Sequence, residues 1–527
     1  MRLTALLQRN RRTGGGSPVA RGESVPPPIG GWDSISPLAI MPPDRAIYID
    51  NWFPQPGYVE IRKGYIEHSD TAEGTPVESL MPYHGESTSD DALFAAADDV
   101  IYDVTTDTPS SEVTSLNNVR FQHVNFTTSG GHFLWICNGA DTPRYYNGTS
   151  WNTATITGIT STDIVHVNVH KNRLWFVLTD STTAAYLPVN QIQGVATTFE
   201  LGGLFNLGGY LVAMGTWSID GGDGPEDYAA FVSSKGQVAI YSGIDPDSAE
   251  TWSLVGVFQI GPPIGRRCFT RLGADLAVVS IDGVLPISRA MVVERGAAIN
   301  AALTANIQPT MNQAARDWSD NFGWELASYP KGTRVILNVP AQENSSQQQY
   351  VMNSVTGAWC RFLNMQANCW AVWKDRLFFG GNDGIVYEAD VGGSDNGDPV
   401  TADLRTAFNY FSQRGNLKRW TMCRPSVTTD GQVALGIAFN VDFADNAPIS
   451  VPDSSIVPGA EWDSAVWDED VWPEDQRTII DWTTVSGIGY CASIRAKVNA
   501  LSTGGADLAP TLQVNGFDVL MESGAFV

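Results

Sequence analysis

With 527 residues, 43% of them hydrophobic, the chain is too long for a single hydrophobic core and should divide into two or three structural units. Its 57 acidic residues against 32 basic ones give a net charge of −25, which repels nucleic acid and argues against tight or sequence-specific DNA binding. No apolar run approaches the ~20 residues of a spanning helix, and the N-terminus lacks a signal peptide's apolar core and cleavage site, so a soluble protein assembled in a cytoplasm is expected.

Residues 1–28 form a basic arm. Arg2, Arg9, Arg11, Arg12 and Arg21 meet no acid before Glu23, and GGG at 14–16 and PPP at 26–28 punctuate it. It is either a flexible tail without a role or an arm that docks on an acidic neighbour. Residues 29–75 follow as an N-terminal platform segment. In DNWFPQPGYVEIRKGY (50–65), Pro54 and Pro56 fix φ and remove two donors, so the chain is extended and turned. VEIRKGY then alternates like a half-buried strand. Trp52, Phe53 and Tyr58 make this a rigid aromatic corner leading into β structure.

From 76 to 400 one pattern returns. An apolar strand runs into a polar turn, and a second strand ends in an aromatic. LFAAADDVIYDV (93–104), AFVSSKGQVAIYSG (230–243) and LFFGGNDGIVYEAD (377–390) are the clearest copies. Weaker ones start at 133, 174 and 276. The spacing of the first five starts, roughly 40–55 residues, suits the four-stranded blades of a β-propeller. About six blades fit; a β-sandwich array, with less regular spacing, is the competing architecture. Residues 293–318 break the pattern with apolar residues near helical spacing, and Pro309 should split them into two short helices, sitting in the first turn of the second.

After 401 the composition shifts to C-terminal β-rich platform segments. TAFNYFSQRGNLKRWTMCRPSV (406–427) reads as a basic-aromatic strand pair turning at Gly415, with Arg414, Lys418 and Arg419 as candidates for docking to an acidic neighbour or as a solvated basic turn. Trp462, Trp467 and Trp472 recur every five residues, a spacing that fits neither a helix face nor one strand face. Short turns would plant the three indoles on a common surface as a packing device between strands or subunits.

Chemistry-bearing patterns are sparse. The six cysteines are scattered and read as buried, reduced thiols. In HVNVH (166–170), His166, Asn168 and His170 share one strand face, read as polar and outward; a third metal ligand is not visible locally. DGGDGPED (220–227) reads as an acidic loop without calcium-loop spacing. Phosphate-cradling, nucleophile-elbow and zinc-ligand motifs are absent. An enzyme is therefore not expected, and no catalytic residue, cofactor or metal ligand is assigned.

Five blocks carry a resemblance. They are GGWDSISPLAIMPPDRAIYIDNWFPQPGYVEIRKGY (30–65), FGWELASYPKGTRVILNVP (322–340), YVMNSVTGAWCRF (350–362), WAVWKDRLFFGGNDGIVYEADVG (370–392) and AFNYFSQRGNLKRW (407–420). In this order, and with the tryptophan repeat, they resemble the tail nozzle (tail tubular protein B) family of short-tailed bacteriophages. The resemblance implies a β-propeller carrying a platform built partly from the chain ends. It also implies a homohexameric ring below the portal and adaptor, contacts with tail fibres or a spike, and a bore through which viral double-stranded DNA passes non-specifically. A virion tail protein assembled in the host cytoplasm is thus expected. The alternative is a propeller that binds glycans or anchors fibres.

Overall fold

The computed structural model describes residues 20–220, 225–292, 294–430, 435–451, 453–456, 477–502 and 511–526. Strands dominate it. The arm up to residue 19 and Trp462, Trp467 and Trp472 lie outside the described residues.

The middle of the chain is a β-propeller. Five small antiparallel sheets follow one another at 77–113, 122–153, 164–200, 211–259 and 269–286. The first four have four strands. The fifth has three, with the short helix Ile287–Ala290 packed on its second and third strands. A four-stranded meander at 325–362 and a three-stranded one at 369–389 belong to a large fourteen-stranded sheet. The inner strands pack side by side around the ring, and Cys369–Trp373 of the last meander meets Val77–Tyr83 of the first sheet. Five separate sheets and two meanders bracket the expected count of about six.

The last unit is closed by a strand from far away. Tyr65–Asp70 pairs antiparallel with Ile385–Ala389 as the fourth strand of that meander. A chain segment assigned by sequence to the platform thus locks the ring, because its edge is the one that completes the final unit.

The repeated sequence pattern corresponds to the second and third strands of the units. LFAAADDVIYDV, for instance, becomes Ala92–Ala97 and Val100–Asp103. These middle strands are covered on both faces, so their apolar runs are the strongest; every residue of Ala92–Ala97 is buried. Aromatic rings knit neighbouring sheets together. Trp135 stacks on Phe176 at 4.9 Å, and Trp175 on Trp252 at 5.7 Å. Burying an indole of this size stabilises by roughly 4–6 kcal/mol of transfer free energy. All six cysteines are buried and free.

Both chain ends share the remaining β structure. Trp52–Gln55, Tyr58–Ile61 and Ala20–Val25 join Leu512–Phe526, Asn416–Thr429, Arg477–Ile479 and Thr483–Gly489 in one seven-stranded sheet. The other side comes from the large sheet, through Ala46–Asp50, Asp398–Thr406, Ala492–Ser502 and Gly436–Val441. Trp420, Val519 and Met521 from the first meet Leu404, Ile494 and Val498 from the second in a single hydrophobic core.

The helical insertion forms as its pattern implies. Arg295–Ala298 is followed by two 3-10 turns and then by Gln308–Trp318, with Pro309 in its first turn, where no N–H is needed. Met311, Ala314 and Ala315 bury one stripe of this helix against Arg334–Gln342 and into the core that the platform shares. The helix is therefore a packed strut.

Candidate functional site

Two regions stand out: the joint between ring and platform, and the axial cavity of the ring.

At the joint, the aromatic corner is a tight hairpin. Trp52 pairs with Ile61 and Gln55 with Tyr58 across Pro56–Gly57, where Gly57 has φ +97°. Proline followed by a glycine of positive φ is the signature of a type II turn. Trp52 and Phe53 are wholly buried. Phe53 packs edge-on against Phe362, and the guanidinium of Arg334 lies 4.9 Å from its ring. They are internal anchors, while Tyr58 stays half-buried on the hairpin's second strand.

Polar contacts bind the joint just as firmly. Arg62, 1% exposed, reaches both carboxylate oxygens of Asp395 at 2.6 and 2.7 Å, and also Asn51 Oδ1 and the Lys63 and Leu363 carbonyls. Arg361 makes a bidentate pair with Asp50 at 2.8 Å. Asn353 donates to the Pro54 carbonyl, and Trp32 N–H to the Trp359 carbonyl. Burial raises the pKa of Asp50 and Asp395 against the pull of their arginines.

The basic turn separates into three roles. Arg414 is exposed, donates to the Ala39 carbonyl at 3.2 Å and sits over the Tyr410 ring. Arg419 is exposed and faces Glu522 at 3.7 Å. Lys418 is not available for docking, contrary to the sequence reading. Strand alternation turns it inward, 1% exposed, where its ammonium donates to the Gln413, Asn416 and Tyr490 carbonyls. Burial lowers its pKa. Around this edge of the platform, Ile40, Phe443, Ile480, Trp482, Ile488 and Tyr490 are exposed.

The axial cavity was not foreseen. Inner strands of the propeller leave a space of about 350 Å³ lined by Gln122, His123, His166, Asn168, Thr216, Arg266, Arg267, Arg271 and Glu325, among others. It shares Thr216 and Arg271 with a wider opening on one side. On the other it shares Gln122, Arg266 and Arg267 with a second mouth that includes Arg120 and Phe322. HVNVH, read as an outward face, turns out to be the inner strand of the third sheet, so His166 and Asn168 face this axis. Burial, followed by Arg266, pushes the His166 pKa down to about 3; burial, followed by Arg267, puts His123 at about 4. Among the described residues, no group of three His, Cys, Asp or Glu side chains is placed to hold a metal ion. The usable signal was RRCFTR (266–271), three arginines in six residues of an acid-rich chain.

No family model and no curated protein matches the chain. Among solved structures, it is similar to BBS1N, crystallised in complex with ARL6DN (10% identity, TM-score 0.40), over 62% of this chain and 97% of that one. It is also similar to the extracellular domain of the putative hybrid two-component system BT3049 from B. thetaiotaomicron (11%, TM-score 0.37; 64% of this chain, 41% of that one). Chaetomium thermophilum Raptor is a third (10%, TM-score 0.37; 62% and 29%).

Proposed function

We propose that the protein is a ring-forming structural component of a short phage tail, a nozzle through which double-stranded DNA passes. One observation carries this reading. The five blocks that resemble the tail nozzle family are dispersed over residues 30–420, yet they meet in space. Block 30–65 is bonded to block 350–362 through Asp50–Arg361, Asn353–Pro54 and Trp32–Trp359. It meets block 370–392 at Tyr65, which pairs with Ala389 and packs edge-on against Phe379 and Tyr387. Arg414 of the last block bonds Ala39 of the first. The shared wording is thus the wording of one physical unit, the ring–platform joint.

The platform supplies a surface for assembly. Its exposed Ile488 lies opposite the exposed Arg419, while the exposed Ile480, Trp482 and Phe443 lie on the same β structure, Trp482 against Arg424, and apolar exposure of this kind marks protein contacts. Identical copies joined head to tail close into a ring through a heterologous interface; six copies, with the adaptor above and fibres or a spike beside, complete the proposal. The acidic surface acts mechanically. Carboxylates facing phosphates within the ~8–10 Å Debye length repel them, so DNA slides without adhering. Native mass spectrometry of the purified chain tests the assembly step: a six-subunit species is expected, and a monomer at every concentration and salt would refute it.

A further inference from the structure

We propose that the axial cavity of the propeller is a binding site for a phosphate group, free or as a monoester, held between Arg266 and Arg271. This stands independently of the tail assignment. The argument is one of missing charge. Each other cation around the cavity and its two mouths has a carboxylate: Arg267 has Glu325, Arg120 has Glu78 and Glu343, Lys171 has Asp227, and Arg173 has Asp245. Arg267 is further occupied by the Ser79 hydroxyl and the Glu78 and Phe121 carbonyls.

Among the described residues neither Arg266 nor Arg271 has a carboxylate within ion-pair distance, although Asp180 acts on Arg266 from further off. Arg271 gives only its Nε–H, to the Thr216 carbonyl, and leaves the ends of its fork for the cavity. Arg266 keeps its charge where the surrounding protein pushes its pKa down. Both side chains are exposed to the cavity and its mouths, so water reaches them, and a bound anion would add the charge-assisted hydrogen bonds that no carboxylate supplies there.

A second observation points the same way. His166, 9% exposed and lining the same cavity, has its Nδ1 buried without a partner. Beside it Asn168 donates to the Thr216 hydroxyl. Two arginine forks suit a compact multi-oxygen dianion better than a halide, because guanidinium matches phosphate in a bidentate fashion. The cavity, at about 350 Å³, is larger than a bare phosphate and leaves space for the ester group of a small monoester.

The test is calorimetric titration of the full chain with inorganic phosphate and with glycerol phosphate, at ionic strength matched with sodium chloride. Saturable binding of at least one is expected, with R266Q and R271Q each weakening it by about tenfold or more and R414Q leaving it unchanged. Tighter binding of glycerol phosphate would assign a monoester, and equal or weaker binding would assign free phosphate. Absence of saturable binding, or binding that survives the double variant, would overturn the site. Should either variant fail to fold, a tungstate soak of the unaltered protein decides: an anomalous peak between Arg266 and Arg271 supports the site, and an empty cavity overturns it.

Discussion

Arg62→Met should be among the most damaging single changes in the molecule. Arg62 and Asp395 are 1% and 4% exposed and join the N-terminal segment to the turn that follows the last ring unit. The substitution removes two charge-assisted hydrogen bonds to Asp395, each worth about 1.5–3 kcal/mol, and strands a buried carboxylate. Breaking one partner of such a pair costs about 3–5 kcal/mol. The loss should depend on pH. Burial already raises the Asp395 pKa, and Arg62 is the influence that lowers it, so the variant's carboxyl rises further. A carboxyl with a raised folded pKa favours the fold while protonated, and that contribution is lost as pH rises through the folded value. The deficit should therefore be larger at pH 8 than at pH 5. Replacing both partners, R62M with D395L, should recover much of it. Urea unfolding followed by tryptophan fluorescence reads all three. A loss under about 1 kcal/mol at pH 8, against the range above, or a deficit that does not shrink at pH 5, would refute the reasoning.

Two more outcomes follow from the same structure. His166, His123 and His170 are held neutral, with pKa values of about 3, 4 and 4, lowered chiefly by burial. The unfolded chain takes up these protons first, so stability should fall as pH drops from about 6.5 toward 4, and H166N should flatten the slope of a melting-temperature series. K418M leaves three carbonyls without their donor and should cost about 2–4 kcal/mol, whereas R414Q should lie within about 0.5 kcal/mol of the parent in the same unfolding assay.

The ring was legible because its middle strands are buried on both faces and so carry long apolar runs. Ala92–Ala97 and Gln237–Gly243 could hardly be read otherwise. The inner strands were harder, since they face an aqueous axis. Gln122–Thr128, QHVNFTT, has the polarity of a surface strand, and the same ambiguity sent HVNVH to the wrong face. Pairing of Tyr65–Asp70 with Ile385–Ala389 joins segments more than 300 residues apart, and local pattern carries no information about such partners. Lys418 could have been placed from alternation alone, because Trp420, two residues on, belongs inside; its charge outweighed its register in the sequence reading. The cationic axis was hidden by the net charge, which averages RRCFTR into a strongly acidic whole.

Immunogold labelling of intact virus particles with an antibody against this chain probes the nozzle assignment most directly. The account predicts gold at the distal end of a stubby tail, one ring's worth of copies per particle. Label that stays with free protein in the host lysate and never reaches finished particles would contradict it.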